Sequence, residues 1–289
     1  MQIVKTAVEL THLLESFKHQ KIGFVPTMGA LHKGHISLID ASKSHSNITV
    51  CSIFINPTQF NQQADFDKYP ITLAEDIQQL EQADCDILFL PSLAEVYPNG
   101  TTPIKSYPLG NLANILEGAF RPGHFQGVCQ VVDCLLALVA PHFIFMGQKD
   151  YQQCKVVEQL LKMPHLNHQA KLISLPTFRE KSMLAMSSRN RRLSADDLEK
   201  AGELYQSLLY VTNTLKPGNE KACLQKATHN LLQNGFHSVD YIALANANSL
   251  ILIEQWDGLE PLVVLGAAFL NGVRLIDNLI LPVHLKGLH

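Results

Sequence analysis

At 289 residues, with 46% apolar and 17% charged side chains, the chain has the composition of an ordinary globular protein, long enough for one large domain or two moderate ones. Its formal net charge of −3 supplies no positive field to hold a polyanion, which argues against nucleic acid as a main partner. No apolar stretch nears the ~20 residues of a membrane helix, and Met1 to Thr6 lacks the apolar core of a secretory signal, so a cytoplasmic chain without a membrane partner is expected. The six cysteines form no CxxC pair and mostly interrupt apolar runs. They read as buried free thiols, not as a disulfide framework or a zinc site.

In chain order, strand-like runs at Ile22–Val25, Thr49–Ile55, Ile87–Leu90, Phe143–Met146 and Lys171–Leu175 alternate with helical patterns at His35–Ser44, Thr72–Ala83, Gly127–Val139 and Tyr151–Met163. Such alternation predicts an α/β fold, a Rossmann-like parallel sheet over residues 1–176. Because βαβ crossovers are right-handed, the loops after successive strands should gather at one sheet edge, the usual ligand side. After Pro176 the pattern changes. Ser194-Ala195-Asp196-Asp197 looks like a capping box opening a helix to about Leu215, and a second helix spans Glu220–Asn234. Strands at Val239–Ala245, Leu262–Ala268 and Val273–Leu281, with a hairpin at Asn271-Gly272, complete a smaller α+β domain, 177–289.

Three of the strand ends carry chemistry. The first is FVPTMGALHKGH, Phe24 to His35, a strand-to-helix corner where Gly29 and Gly34 permit a tight turn. His32 and His35, three apart at a helix N-terminus, can both face a phosphate chain, which points to ATP. The second is Asn56-Pro57-Thr58-Gln59-Phe60, whose amides, with Gln153, suit a small polar substrate bearing hydroxyl or carboxylate groups. The third is Gly147-Gln148-Lys149-Asp150, with Lys149 to meet phosphate and Asp150 to accept from ribose or reach a metal through water. Farther on, Met186-Ser187-Ser188-Arg189 offers two hydroxyls and a guanidinium for a triphosphate. Arg121, in a compact loop after Glu117, either ion-pairs within the protein or lies over the site. His165 and His168 fall in a polar connector and read as solvated.

Taken together, PTMGALHKGH, NPTQF, LEGAFRPGHFQGV, GQKDYQQ, AMSSRN and RLIDN resemble, in order, the pantothenate synthetases (pantoate:β-alanine ligases) of the HxGH nucleotidyltransferase group. The resemblance spans nearly the whole chain. It implies an enzyme that joins pantoate and β-alanine at the cost of ATP, through an enzyme-bound pantoyl adenylate, releasing pyrophosphate and AMP. It also implies a homodimer formed through the N-terminal domain. Met28, Gly29, Ala30, Leu31, His32, Lys33, Gly34 and His35 would line the ATP site, with His32, His35, Lys149 and Arg189 as the catalytic set. Gly147, Gln148, Lys149 and Asp150 would meet ribose and phosphate, Phe178 and Met186 would neighbour adenine, and Ser187, Ser188 and Arg189 would grip phosphates. Gln59 and Gln153 would hold pantoate, with Asn56 and Met28 shaping that pocket. Mg2+ would arrive on the ATP phosphates, its protein ligands unassigned.

Two departures from the family pattern stand out. Gln148 occupies a position usually Glu, and Arg179-Glu180-Lys181-Ser182-Met183 replaces an Arg-Glu-x-Asp-Gly run. If that glycine takes a positive φ, Met183 would resist it, and a disordered or differently shaped loop is the expectation. Two other readings compete: an HxGH transferase with a phosphorylated acceptor, and a catalytically dead nucleotide-binding or scaffold protein. The amides Gln59 and Gln153 argue against the first. The presence of His32, His35, Lys149 and Arg189 argues against the second.

Overall fold

The structure, a computed structural model, describes residues 1–61, 63–102 and 105–281. The chain divides into two compact units, Met1–Phe178 and Arg179–His289.

In the first unit the strands are β1 (Gln2–Val4), β2 (Ile22–Thr27), β3 (Ile48–Ile53), β4 (Ile87–Phe89), β5 (Phe143–Gly147) and β6 (Lys171–Leu175). They pair in parallel in the order β1-β4-β3-β2-β5-β6. The helices are α1 (Ala7–Glu15), α2 (Lys33–His45), α3 (Gln63–Asp67), α4 (Leu73–Gln82), α5 (Leu93–Val96), α6 (Glu117–Phe120), α7 (His124–Val139) and α8 (Tyr151–Leu161). The predicted strands and helices are present with small end shifts. The edge strand β1 and helix α1 went unpredicted, because a three-residue strand carries too little periodicity to register.

Alternating side chains of the central strands feed two cores, as a sheet covered on both faces requires. Phe24, Val50 and Ile144 pack on one face with Leu10, Val128, Leu136 and Val157. Val25, Cys51 and Phe145 pack on the other with Leu31, Ile39 and Leu80. The chain moves from β2 out to β3 and later returns to lay β5 on the opposite side of β2. The carboxyl ends of β2 and β5 therefore flank the switch point, where open α/β sheets form their ligand crevice. Among the described residues no helix is long and apolar enough to cross a membrane, and all six cysteines are free thiols, five of them buried.

The second unit contains α9 (Ala195–Lys200), α10 (Glu203–Thr214), α11 (Glu220–Gln233) and the antiparallel sheet β7 (Ser238–Asn246), β8 (Leu262–Leu270), β9 (Val273–Ile280). Leu204, Leu208, Val211 and Leu231 of the helices cover Leu244, Val264 and Ala268 of the sheet. Asn271 and Gly272, at φ +45° and +74°, make the predicted hairpin turn. The single helix expected from Ser194 to Leu215 is two helices. At Gly202 the chain tightens to an i−3 bond onto Glu199 O, and a Cβ there would collide with the Ser182 carbonyl, so the glycine is needed where the two segments meet. Ser194 caps α9, its Oγ accepting from Asp197 N–H at 3.2 Å.

Candidate active site

The β2–α2 corner is built from the backbone outward. Helix α2 begins two residues before the predicted start, because His32 is its N-cap. His32 Nδ1 accepts from Gly34 N–H at 3.2 Å, and His32 N–H donates to His35 Nδ1 at 3.3 Å. This is a capping box with imidazoles in place of the usual Ser and Glu. Each Nδ1 is thereby an acceptor, so the proton of each neutral ring resides on Nε2. The rings lie 4.0 Å apart between centroids. Burial pushes the His35 pKa down to about 4, Asp150 opposing and Lys149 reinforcing that shift, so His35 is a neutral hydrogen-bond donor at pH 7. A side chain at Gly34 would crowd the His32 ring at 3.0 Å, which explains the glycine between the histidines.

The loop before His32 is held by a residue that the sequence reading missed. Asp76 of α4, 1% exposed, accepts from Ala30 N–H at 2.9 Å, Leu31 N–H at 2.7 Å and Thr72 Oγ1 at 3.1 Å. These bonds fix a turn in which Gly29 and Ala30 both take positive φ, +80° and +50°. The side chains of Ala30 and Leu31 are buried, whereas Lys33 is exposed. Asp76 went unseen because an acidic residue in an amphipathic helix looks like surface, and its partners are 45 and 46 residues away.

Beyond β3, Asn56 is 1% exposed and spends its amide inside the protein, one bond of which goes to Gln59 Oε1 at 3.2 Å. Gln59 Nε2 lies 3.1 Å from Met28 Sδ, which joins the β3 loop to the β2 loop. Beyond β5, Gln148, Lys149 and Asp150 form one 3-10 turn, with Lys149 Nζ 3.4 Å from Asp150 Oδ1. A side chain at Gly147 would meet nothing within 4 Å, so open space adjoins the end of β5. Gln153 is half-buried on α8, and Phe178 is 43% exposed with its Cβ 3.5 Å from where a Gly34 Cβ would stand. The predicted convergence of the three loops is observed.

Arg121 has partners inside the first unit. Its Nη1 is 3.1 Å from His124 Nε2 and 3.9 Å from Glu117 Oε2. His124 Nδ1–H donates to the Gln59 carbonyl at 2.8 Å, and its pKa falls to about 4 because the ring is buried beside the Arg121 guanidinium. His124 thus ties the Arg121 loop to the Gln59 loop. His168 is not solvated as expected. Its side chain is 9% exposed and Nε2 lies 2.8 Å from Asp133 Oδ1. Asp133 also takes Lys105 Nζ and Tyr107 OH, and although burial opposes ionisation these three partners hold its carboxyl down at about 2. His165 is exposed.

In the second unit, Ser187 caps a 3-10 turn over Ser188–Arg192 and its Oγ accepts from Arg189 N–H at 3.3 Å. Ser188 is buried, and Met186, Ser187 and Arg189 are half-buried. The segment before it, expected to be disordered or differently shaped, forms a hydrogen-bonded turn. Met183 takes φ +70° and donates its N–H to Glu180 O, while Leu184 O accepts from Glu180 N–H. Arg179 clamps this turn: Nη1 donates to Met183 O at 3.0 Å, and Nη1 and Nη2 reach the two oxygens of buried Asp277 at 2.6 and 3.0 Å. The bidentate pair, anchored on Asp277 of the RLIDN strand, holds the left-handed conformation that Met183 alone would avoid.

Among the described residues no group of three or more His, Cys, Asp or Glu could cage a metal ion. Asp150 is the carboxylate beside His35 and Lys149.

The sequence profile of the Pantoate-beta-alanine ligase family matches residues 2–280. A pantothenate synthetase of Cytophaga hutchinsonii is 44% identical over 272 residues, covering 92% of this chain and 94% of its own. One from Hydrogenovibrio crunogenus is 40% identical, covering 91% and 92%. The crystal structure of pantothenate synthetase from Thermus thermophilus superposes with a TM-score of 0.82 at 36% identity, over 96% of this chain and 99% of that one. The pantoate-beta-alanine ligase of Francisella tularensis, solved with Beta-gamma ATP and Beta-alanine, superposes with a TM-score of 0.81 at 38% identity, over 97% of each chain. With this sequence match, this fold and an HxGH corner at the switch point, the chain belongs to the pantoate–β-alanine ligase family.

Proposed function

We propose that the protein ligates pantoate and β-alanine using ATP, by way of a pantoyl adenylate. The observation that carries this reading is the pair of histidines whose Nδ1 atoms are committed to the α2 cap, with buried, neutral His35 beside Lys149 and Asp150 at the switch point. Such a set stabilises charge developing on phosphate oxygens and contributes no nucleophile of its own. A pantoate carboxylate oxygen attacks the α-phosphorus in line, the bond to the pyrophosphate leaving group breaks, and the β-alanine amine then attacks the acyl carbon and expels AMP. Both nucleophiles come from substrates, so the protein supplies positioning, worth about 7–11 kcal/mol in well-oriented cases.

In this reading His32, His35, Lys149 and Arg189 act on the phosphates, and Gly147 and Asp150 meet the ribose. Gln59 and Gln153 take pantoate, while Met186 and Phe178 border the adenine. Mg2+ would travel with the nucleotide, lending its charge to the leaving pyrophosphate, and Asp150 could reach it through water. The protein acts as a homodimer, which light scattering tests. Uncharged amides in place of further cations favour a carboxylate over a phosphorylated acceptor. Exchange of labelled pyrophosphate into ATP, dependent on pantoate and independent of β-alanine, is the expected behaviour. Active protein that exchanges nothing with pantoate overturns the proposal.

A further inference from the structure

The substrate amide Gln59 does not stand alone. Asn56 behind it has no freedom in which way its amide faces. Its Oδ1 accepts from the Thr58 backbone N–H at 3.3 Å, and its Nδ2 donates to the Gly127 backbone carbonyl at 3.2 Å. A backbone N–H can only donate and a carbonyl can only accept, so a flipped Asn56 would set like against like at both ends. With Nδ2 fixed as donor, the Gln59 oxygen must face Asn56, at 3.2 Å. The Gln59 NH2 is then turned the other way, toward Met28 Sδ at 3.1 Å.

One further side chain completes the arrangement from a distant segment. Tyr97, 5% exposed, follows α5 and donates its hydroxyl to Asn56 Oδ1 at 2.8 Å. It is shorter than the Thr58 N–H and Oγ1 bonds to the same oxygen, 3.3 and 3.0 Å. We propose that Tyr97 is a positioning residue, which through Asn56 holds Gln59 with its NH2 presented to the substrate. The subsite is thereby a donor subsite, selecting an oxygen acceptor, a carboxylate or hydroxyl, and rejecting an amide NH2 or ammonium group at the same place. This rests on the pantoate reading of Gln59 given above.

The test is Tyr97→Phe in the pyrophosphate-exchange assay, with pantoate and ATP varied separately. One buried neutral hydrogen bond is worth about 1 kcal/mol, which is about fivefold in a binding constant. The expected result is a pantoate KM raised about fivefold, an ATP KM within twofold of the parent, and kcat nearly unchanged. In a Gln59→Ala background the same substitution should leave the pantoate KM where Gln59→Ala alone puts it. Unchanged KM values for Tyr97→Phe overturn the proposal, as do equal rises for pantoate and ATP, or additive effects with Gln59→Ala. Should Tyr97→Phe fail to fold, Asn56→Asp supplies the test: it keeps the shape, replaces the Nδ2 donor by an acceptor, and should raise the pantoate KM more than the ATP KM. Equal rises there likewise overturn the relay. Failure of the parent protein to exchange with pantoate would refute the ligase reading itself, which these variants cannot mimic.

Discussion

Replacing Asp76 tests whether the HxGH corner is held from outside. In the native protein its carboxylate takes two backbone N–H groups and one hydroxyl at 2.7 to 3.1 Å while 1% exposed. Asp76→Ala leaves the N–H groups of Ala30 and Leu31 buried without that partner, at about 1–3 kcal/mol each. The released turn can also leave the φ +50° of Ala30, which relieves about 1–2 kcal/mol of strain. With that relief set against the two N–H groups, the expected loss of unfolding free energy is about 3 kcal/mol, a large share of a typical domain's stability. Asp76→Asn keeps the shape but offers one acceptor oxygen where two are used, so a smaller loss of about 2 kcal/mol follows. Since His32 and His35 hang from this turn, pyrophosphate exchange should fall by at least tenfold in Asp76→Asn. Urea unfolding and the exchange assay read the two effects separately. An Asp76→Asn protein with native unfolding free energy and native exchange would refute the argument that Asp76 holds the corner.

Other consequences concern strain, close packing and protons. Met183→Gly relieves the left-handed backbone at φ +70°, and after the entropic cost of glycine a net gain of about 0.5–1 kcal/mol is expected; a loss would contradict the strain assigned there. Gly127→Ala drives a Cβ into the backbone of Thr58 and Gln59, so the pantoate KM should rise severalfold in the exchange assay, and an unchanged KM would contradict that packing. His35 and His124 titrate near 4 in the fold against about 6.5 when unfolded. Between those values the unfolded chain binds protons that the native state refuses, so stability must fall as pH drops from 6.5 toward 4. The limit is about 1.4 kcal/mol per pH unit for each ring. Denaturation at pH 7 and pH 5 should show the loss, and equal stabilities would contradict it.

Much of the first unit was readable because buried parallel strands are short apolar runs and their helices are amphipathic. The corner at His32 and His35, the Gln59 loop and the Lys149 turn were found from strand ends alone, since right-handed crossovers put such ends on one edge. What escaped the sequence was long-range pairing. Nothing local marks Asp76 as the anchor of residues 30 and 31, Asp133 as the partner of His168, or Tyr97 as the partner of Asn56. Met183 misled for the opposite reason: its backbone preference was judged correctly, but Arg179 and Asp277, 98 residues apart, override it. The bend at Gly202 was hidden because a glycine inside an otherwise helical pattern is often tolerated.

Oxygen tracing tests the central claim most directly. If the pantoate carboxylate attacks the α-phosphorus, pantoate carrying 18O in both carboxylate oxygens must pass one labelled oxygen to AMP and keep the other in the new amide. Mass spectrometry of the AMP formed with ATP and β-alanine should therefore show one 18O per molecule. Unlabelled AMP, with the label in pyrophosphate, in inorganic phosphate or wholly in the organic product, would contradict a pantoyl adenylate at this site.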